Sequence, residues 1–156
     1  MDPRTQRRLE GFRDAMRAAG LPEERLLVTT PQASTVGLGC ELLSALLAEA
    51  PDADAVFCNN DDLALGALFE CQRRRIAVPH QFGICGFNDL EPTGVAFPAI
   101  TSVRTFREEM GRRAVEMLLA RINGETVPDS RIDIGFELVK RDSTRRANHA
   151  QEEVLP

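Results

Sequence analysis

The chain has 156 residues, of which 43% are hydrophobic and 28% charged, a composition that fits one soluble globular domain with a real core. Its formal net charge of -5 argues against gripping a phosphate backbone unaided. No apolar run approaches the roughly 20 residues of a membrane helix, and the opening MDPRTQRRLEGF has no apolar segment of the signal-peptide kind.

Asp2-Pro3 predicts a helix start, with Asp as cap and Pro at the first helical position. Leu9, Phe12, Met16 and Ala19 form one apolar stripe of that helix, and Gly20 can close it in the left-handed conformation. Arg25 to Thr29 (RLLVT) predicts a short buried strand. Ser34 or Thr35 caps a second helix, with Leu38, Leu42, Leu43, Leu46 and Leu47 inward and Pro51 as its stop. Ala55 to Cys58 is the next strand. Asn60 or Asp61 caps a third helix carrying Leu63, Ala64, Ala67, Leu68 and Cys71.

Phe82 to Gly86 predicts another strand. Asn88 to Pro98 is rich in turn formers and predicts a loop, and Thr101 to Val103 is extended. Thr105 and Glu108 have the spacing of a capping box, opening a helix with Met110, Ala114, Met117, Leu118 and Ile122 on one side and Asn123-Gly124 at its end. Ile132, Ile134, Phe136 and Leu138 alternate as one or two strands do. From Arg145 the chain is polar and aperiodic. Strand and helix alternate throughout, which predicts an α/β class with a mainly parallel sheet flanked by helices.

Nothing in the chain demands an enzyme. GLGCEL (Gly37–Leu42) lacks the third glycine of a dinucleotide fingerprint and lies in a helix pattern, and His80 and His149 have no nucleophile to serve. Asp61 and Asp62 together could suggest a metal, but carboxylates at a helix start are ordinary capping and dipole pairing. Cys40, Cys58, Cys71 and Cys85 form no CxxC pair and are expected as buried free thiols, which suits a reducing compartment. No cofactor and no metal are expected.

The remaining candidates are polar groups at strand ends, where open α/β sheets bind small molecules. Asn60 follows one strand and Asn88 follows FGICGF on the next, so neighbouring strands would bring two amides to one crevice. Such amides suit a polyhydroxylated ligand, and they equally suit helix caps and turns. Arg4 and Arg8 are one helical turn apart and share a face. A guanidinium fork can take a carboxylate or vicinal hydroxyls, although exposed arginines on a charged helix explain the pair as well.

The run Asp54–Val103, DAVFCNNDDLALGALFECQRRRIAVPHQFGICGFNDLEPTGVAFPAITSV, closely resembles the effector-binding core of the LacI/GalR transcription factors. Its NNDDLALGALFECQ wording is most similar to gluconate-utilisation repressors. The resemblance implies a periplasmic-binding-protein-like fold of type I. It implies ligand contacts at Arg8, in the place of the R-x-x-G-F arginine, and at Asn60, with Arg4 and Ser34 near other ligand-lining positions. Where the family's G-[FY]-D-[DN] turn carries Asp, this chain has Asn88; the lost charge favours a sugar acid over a neutral sugar. Ser34 stands where many relatives stack an aromatic ring.

The resemblance further implies a cytoplasmic homodimer, with Leu65 and Phe97 at the two-fold interface, though core packing is the alternative for both. It covers only the later part of the family pattern, which implies an N-terminally truncated effector domain, with DNA read only through an absent N-terminal domain. The implied organisation is a C-terminal subdomain over 1–103, a remnant of the N-terminal subdomain over 104–130, a return strand over 131–143 and a flexible tail over 144–156. The 104–130 helix would then expose its apolar side. The rival reading is a sugar-binding component of a transport system with the same fold.

Overall fold

In the computed structural model, which describes residues 2–21, 30–127, 129 and 131–145, the first helix, α1, runs over Pro3–Ala18 with proline in its first turn. Asp2 occupies the cap position, but its carboxylate makes no cap bond and instead pairs with Arg4 at 3.3 Å. Gly20 closes the helix at φ +68, a conformation that costs glycine little. The strand expected at Arg25–Thr29 lies outside the described residues.

Helix α2 (Val36–Glu49) is capped by Thr35, whose hydroxyl accepts from the Leu38 N–H at 3.0 Å. Strand β1 (Ala55–Phe57) leads to helix α3 (Asp61–Arg74), capped by Asn60. The two helices cross where Gly39 meets Gly66. A Cβ on Gly66 would fall 2.7 Å from Gly39 Cα and 2.8 Å from the Cys40 nitrogen. That close approach buries Leu43, Leu46, Ala64, Leu68 and Cys71 together with Ile84 and Ile100 in one core.

Strand β2 (Gly83–Asn88) runs parallel to β1, with Ala55 opposite Gly83, and β3 (Thr101–Thr105) runs parallel to β2, with Cys85 opposite Thr101. The last strand, β4 (Phe136–Val139), returns antiparallel to β3, giving the order β1-β2-β3-β4. The sheet is therefore mainly parallel and flanked by helices, as expected. Among the described residues β1 has no neighbour on its outer side. A cavity of about 690 Å³ is lined there by Phe12, Phe57 and Cys85 together with Leu43, Leu46 and Val56.

Four local expectations differ from the structure. Asn88 is the last residue of β2 rather than the first of a loop, and the supposed loop to Pro98 contains a short helix, α4 (Glu91–Val95). The capping box at Thr105 and Glu108 does not form: helix α5 (Arg107–Ile122) begins after Phe106 with no side-chain cap. Thr105 is instead the last residue of β3, where pairing with Phe136 holds it extended. Finally, Thr144, placed in the flexible tail, belongs to a 3-10 turn, η1 (Asp142–Thr144). Its buried neighbour Ser143 donates to the Ile84 carbonyl at 2.6 Å and accepts from the Thr101 N–H at 2.8 Å, stitching the turn to β2 and β3.

Helix α5 has no buried residue. Met110, Leu118 and Ile122, expected on its apolar side, are exposed, together with Val115 and Leu119. Phe136 and Leu138 of β4 are exposed as well.

Candidate functional site

Parallel pairing of β1 and β2 places Asn59 and Asn60 beside Phe87 and Asn88 at the C-terminal edge of the sheet. Helix α1 crosses this edge. Its Phe12 ring stacks on Phe57, centroids 6.3 Å apart, and one turn earlier Arg8 reaches the strand ends. Arg8 Nη1 donates to the Asn59 carbonyl at 2.9 Å and to Asn59 Oδ1 at 3.2 Å. Its guanidinium carbon lies 3.8 Å above the centroid of the Phe87 ring, the face that attracts a cation. Asn59 in turn donates from Nδ2 to Thr5 Oγ1 at 3.3 Å.

Every partner of Arg8 is thus neutral. Among the described residues no carboxylate pairs with it. Burial lowers its pKa, and the nearby charge of Arg4 pushes the same way against a smaller pull from Asp2. An arginine stays charged under any such shift. The result is a half-buried cation on the wall of the large cavity, with its Nε and Nη2 edge uncommitted among the described residues.

The other expected site residues are placed differently. Arg4 is exposed and paired with Asp2, so it contributes field at Arg8 rather than a second fork. Asn60 spends its Oδ1 on the Leu63 N–H at 3.1 Å, capping α3, and keeps only its amide donors for a ligand. Ser34 is half-buried and lines neither cavity. Asn88 lies at a second, smaller cavity of about 450 Å³ with Asp89, Arg104 and Phe106. The single crevice expected from Arg8, Asn60 and Asn88 is therefore divided: Arg8 lines the larger cavity, Asn88 the smaller and Asn60 neither, while the Arg8 guanidinium rests on Phe87, the residue before Asn88.

The turn after β2 is held unusually firmly. Asn88 and Asp89 adopt φ +112 and +54, a region that non-glycine residues seldom enter, so surrounding contacts must hold them there. Asp89 takes Arg104 Nε at 2.7 Å, and Arg141 Nη1 stands 2.7 Å from its other oxygen. The Arg141 contact is a charge pairing, because the two hydrogens of Nη1 are directed at the Ile100 carbonyl at 2.8 Å and at Thr93 Oγ1 at 3.3 Å. Burial would raise the Asp89 pKa, but the two guanidiniums outweigh it and hold the carboxyl below its usual value.

Behind the turn lies Asp61, 0% exposed. It was expected as an ordinary helix-start carboxylate, yet it makes no cap. Its Oδ2 accepts from the Leu90 N–H at 2.6 Å and its Oδ1 from Ser102 Oγ at 2.6 Å, while Ser102 Oγ accepts from the Asp89 N–H at 3.1 Å. Asp61 is thus an anchor tying α3 to β3 and to the strained turn.

Cys58, Cys71 and Cys85 are free thiols. Burial pushes Cys58 up to about 12 and the other two to about 11, so all three stay protonated near neutral pH. Among the described residues no three His, Cys, Asp or Glu side chains gather as a metal site, and no helix is long and apolar enough to cross a membrane.

Residues 1–144 match the family model described as a periplasmic binding protein-like domain. The chain belongs to that family. A curated relative, the HTH-type transcriptional regulator GntR of Pseudomonas aeruginosa, is 51% identical over 144 residues, which are 92% of this chain and 42% of the relative. The regulator of the same name from Escherichia coli K12 is 44% identical over 138 residues, 88% of this chain and 41% of its own length. Among solved structures, the transcription regulator GntR from Chromobacterium violaceum superposes with a TM-score of 0.90 at 44% identity, covering 92% of this chain and 53% of that one. The chain therefore spans about half the length of the relatives it matches, and within the periplasmic binding protein-like family it is of the LacI/GalR type.

Sequence reasoning missed three participants. Asn59 was hidden by its neighbour in the Asn-Asn doublet, although a strand end carrying two amides was the signal. Phe87 stood in plain view in the GFND wording but was given no role, and the structure makes it part of β2 beneath Arg8. The burial of Asp61 had no local signature, because its partners Leu90 and Ser102 are 29 and 41 residues away.

Proposed function

We propose that this chain carries the effector-binding part of a transcriptional repressor whose effector is a sugar acid of the gluconate type. The observation that carries the reading is Arg8. A half-buried guanidinium with only neutral partners and a free donor edge is matched to a carboxylate, which accepts two parallel hydrogen bonds and cancels the charge. Asn60 Nδ2 supplies further donors for hydroxyls at the same strand ends, and Asn88 does so from the adjoining cavity. The names of the curated relatives support a regulator rather than an enzyme. In the intact protein, effector binding shifts the balance between two domain arrangements and so the affinity for operator DNA; the setting is the cytoplasm.

The dimer surface proposed with this function rests on Phe97. It is 88% exposed, beside Val95 at 74%. Leu65, expected as the second contact, is buried within the chain's own core and drops out of the surface.

A thermal melt tests the function. The chain is heated with D-gluconate, 6-phosphogluconate, galactose or hypoxanthine, and again as the Arg8→Ala variant. A ligand at about 100 times its dissociation constant adds about 2.7 kcal/mol. A stabilisation by a sugar acid alone, absent from the variant, is expected. Equal stabilisation by galactose, or an unchanged shift in Arg8→Ala, refutes it.

A further inference from the structure

The way Arg8 is held says more than that it is present. An arginine that merely fastens a helix to a sheet is commonly neutralised by a carboxylate, and this chain has acidic side chains to spare. Arg104 and Arg141, both held against Asp89, take that course. Arg8 instead meets one asparagine through two oxygens and one phenyl face. Both oxygens engage the same nitrogen, Nη1, so the fork is fixed at one corner while its opposite edge stays open. The asparagine is itself fixed, because its Nδ2 is tied to Thr5 on α1, a turn before Arg8.

We propose that Asn59 is the positioning residue of this site: it aims Arg8 through neutral oxygens alone, so that the full positive charge is left for the carboxylate of an acidic ligand. This deepens the sugar-acid reading and rests on it. Three consequences follow from the geometry. An amide can accept from a guanidinium without cancelling its charge, whereas an aspartate in the same place would form an internal ion pair and compete with the ligand. The Phe87 ring beneath the guanidinium blocks one face and restricts approach to the edge or the other face. Arg8, which can only donate, turns the asparagine oxygen toward itself and leaves Nδ2 to donate to the Thr5 hydroxyl, which tethers the amide to α1.

The test compares two ligands of equal length that differ at one end, D-gluconate and the neutral hexitol D-glucitol, by titration calorimetry on the whole chain. The parent is set beside Asn59→Asp, Asn59→Ser and Arg8→Gln, with a melt of each. Asn59→Asp is near-isosteric and gains an ion pair, so it is expected to melt no lower than the parent. Its gluconate affinity falls roughly tenfold or more, as for a charged hydrogen bond lost to an internal competitor, while glucitol binding is unchanged. Asn59→Ser keeps the backbone carbonyl for Arg8 but loses both the Oδ1 acceptor and the Nδ2 bond to Thr5 without adding a competing charge, so its gluconate affinity falls, but less than that of Asn59→Asp.

Two results overturn the assignment while leaving the function standing. One is an unchanged gluconate preference in Asn59→Asp when Arg8→Gln abolishes it. The other is parallel loss of both ligands in step with a lowered melting point, the mark of a purely structural contact. A parent that does not prefer gluconate over glucitol, or an Arg8→Gln variant that binds like the parent, removes the sugar-acid reading and this assignment together.

Discussion

Asp61 offers the sharpest test of how the strand-end region is held together. Replacing it with leucine removes both acceptor oxygens and forces a bulkier side chain into a closed site, where Gly86 already packs against the carboxylate. The Leu90 N–H and the Ser102 hydroxyl, each 2.6 Å from a carboxylate oxygen, then lose their partner inside a site closed to water. An unpaired buried donor costs about 1–3 kcal/mol, so the two together cost roughly 3–5 kcal/mol. For a chain of this size each kcal/mol moves the melting point by about 2–4 °C, which gives a fall on the order of 10 °C.

Asp61→Asn is the milder perturbation. Its amide oxygen can still accept from Leu90, and Ser102 Oγ can turn to accept from the new Nδ2, leaving a deficit of about 1–2 kcal/mol. Urea unfolding followed by circular dichroism measures both variants. The order parent, asparagine, leucine is the expected outcome. A leucine variant as stable as the asparagine variant, or more so, refutes the reasoning, because it would show that burial of the bare carboxylate cost as much as its bonds returned. Gly86→Ala gives an independent check, since its new Cβ would overlap Asp61 Oδ1 and force the same carboxylate out of place.

Gly66→Ala adds a methyl against the Val36 carbonyl and Gly39 Cα at the crossing of α2 and α3. The helix-propensity gain of about 1 kcal/mol is outweighed by overpacking of about 1–3 kcal/mol or more, because backbone rather than a flexible side chain must move; a raised melting point would contradict the crossing. Asp89 has a depressed pKa in the folded state, so its stabilisation is full above the unfolded value near 3.8 and is lost as pH falls through the lower folded value. Acid titration of Asp89→Asn is accordingly expected to show a flatter stability profile below about pH 4 than the parent; an identical profile would show that Arg104 and Arg141 do not act through this carboxylate. Phe97→Asp is expected to shift sedimentation from dimer to monomer with little change in the melting point of the monomer, because the residue is 88% exposed. Unchanged sedimentation of a dimeric parent would move the interface elsewhere.

Much of the architecture was legible because it is local. Thr35 and Asn60 as caps, Gly20 as a helix stop and the inward leucines of α2 follow from periodicity and capping chemistry within one or two turns. The failures have a common cause. The Thr105 capping box was overridden by pairing with Phe136, a residue 31 positions away, and the α4 turn owes its place to Asp61 receiving the Leu90 N–H. The proposed site follows the same division: Arg8 and Asn60 were proposed from the wording of the sequence, whereas the contact of Asn59 with Arg8 exists only because α1 and the β1 end meet in space.

Two levels of organisation meet at Phe87 and Asn88. On one side the chain holds a cation in place with neutral groups, Asn59 and an aromatic face, leaving charge to spare. On the other it clamps a strained turn with fully paired charge, Asp89 between Arg104 and Arg141, with Asp61 behind it. A paired charge resists rearrangement and an unpaired one invites a ligand. The turn can therefore serve as the rigid reference against which Arg8 reports an arriving anion, and since Phe87 and Asn88 are consecutive, any ligand that pulls the guanidinium off its ring acts directly on the clamped turn. That mechanical link predicts that weakening the clamp alters the response to ligand before it alters the affinity. In Asp89→Asn the gluconate dissociation constant should stay within a few-fold of the parent, while ligand-induced protection of the Phe87 and Asn88 amides in hydrogen exchange should fall. Protection that survives in Asp89→Asn would show that the two cavities are neighbours without being coupled.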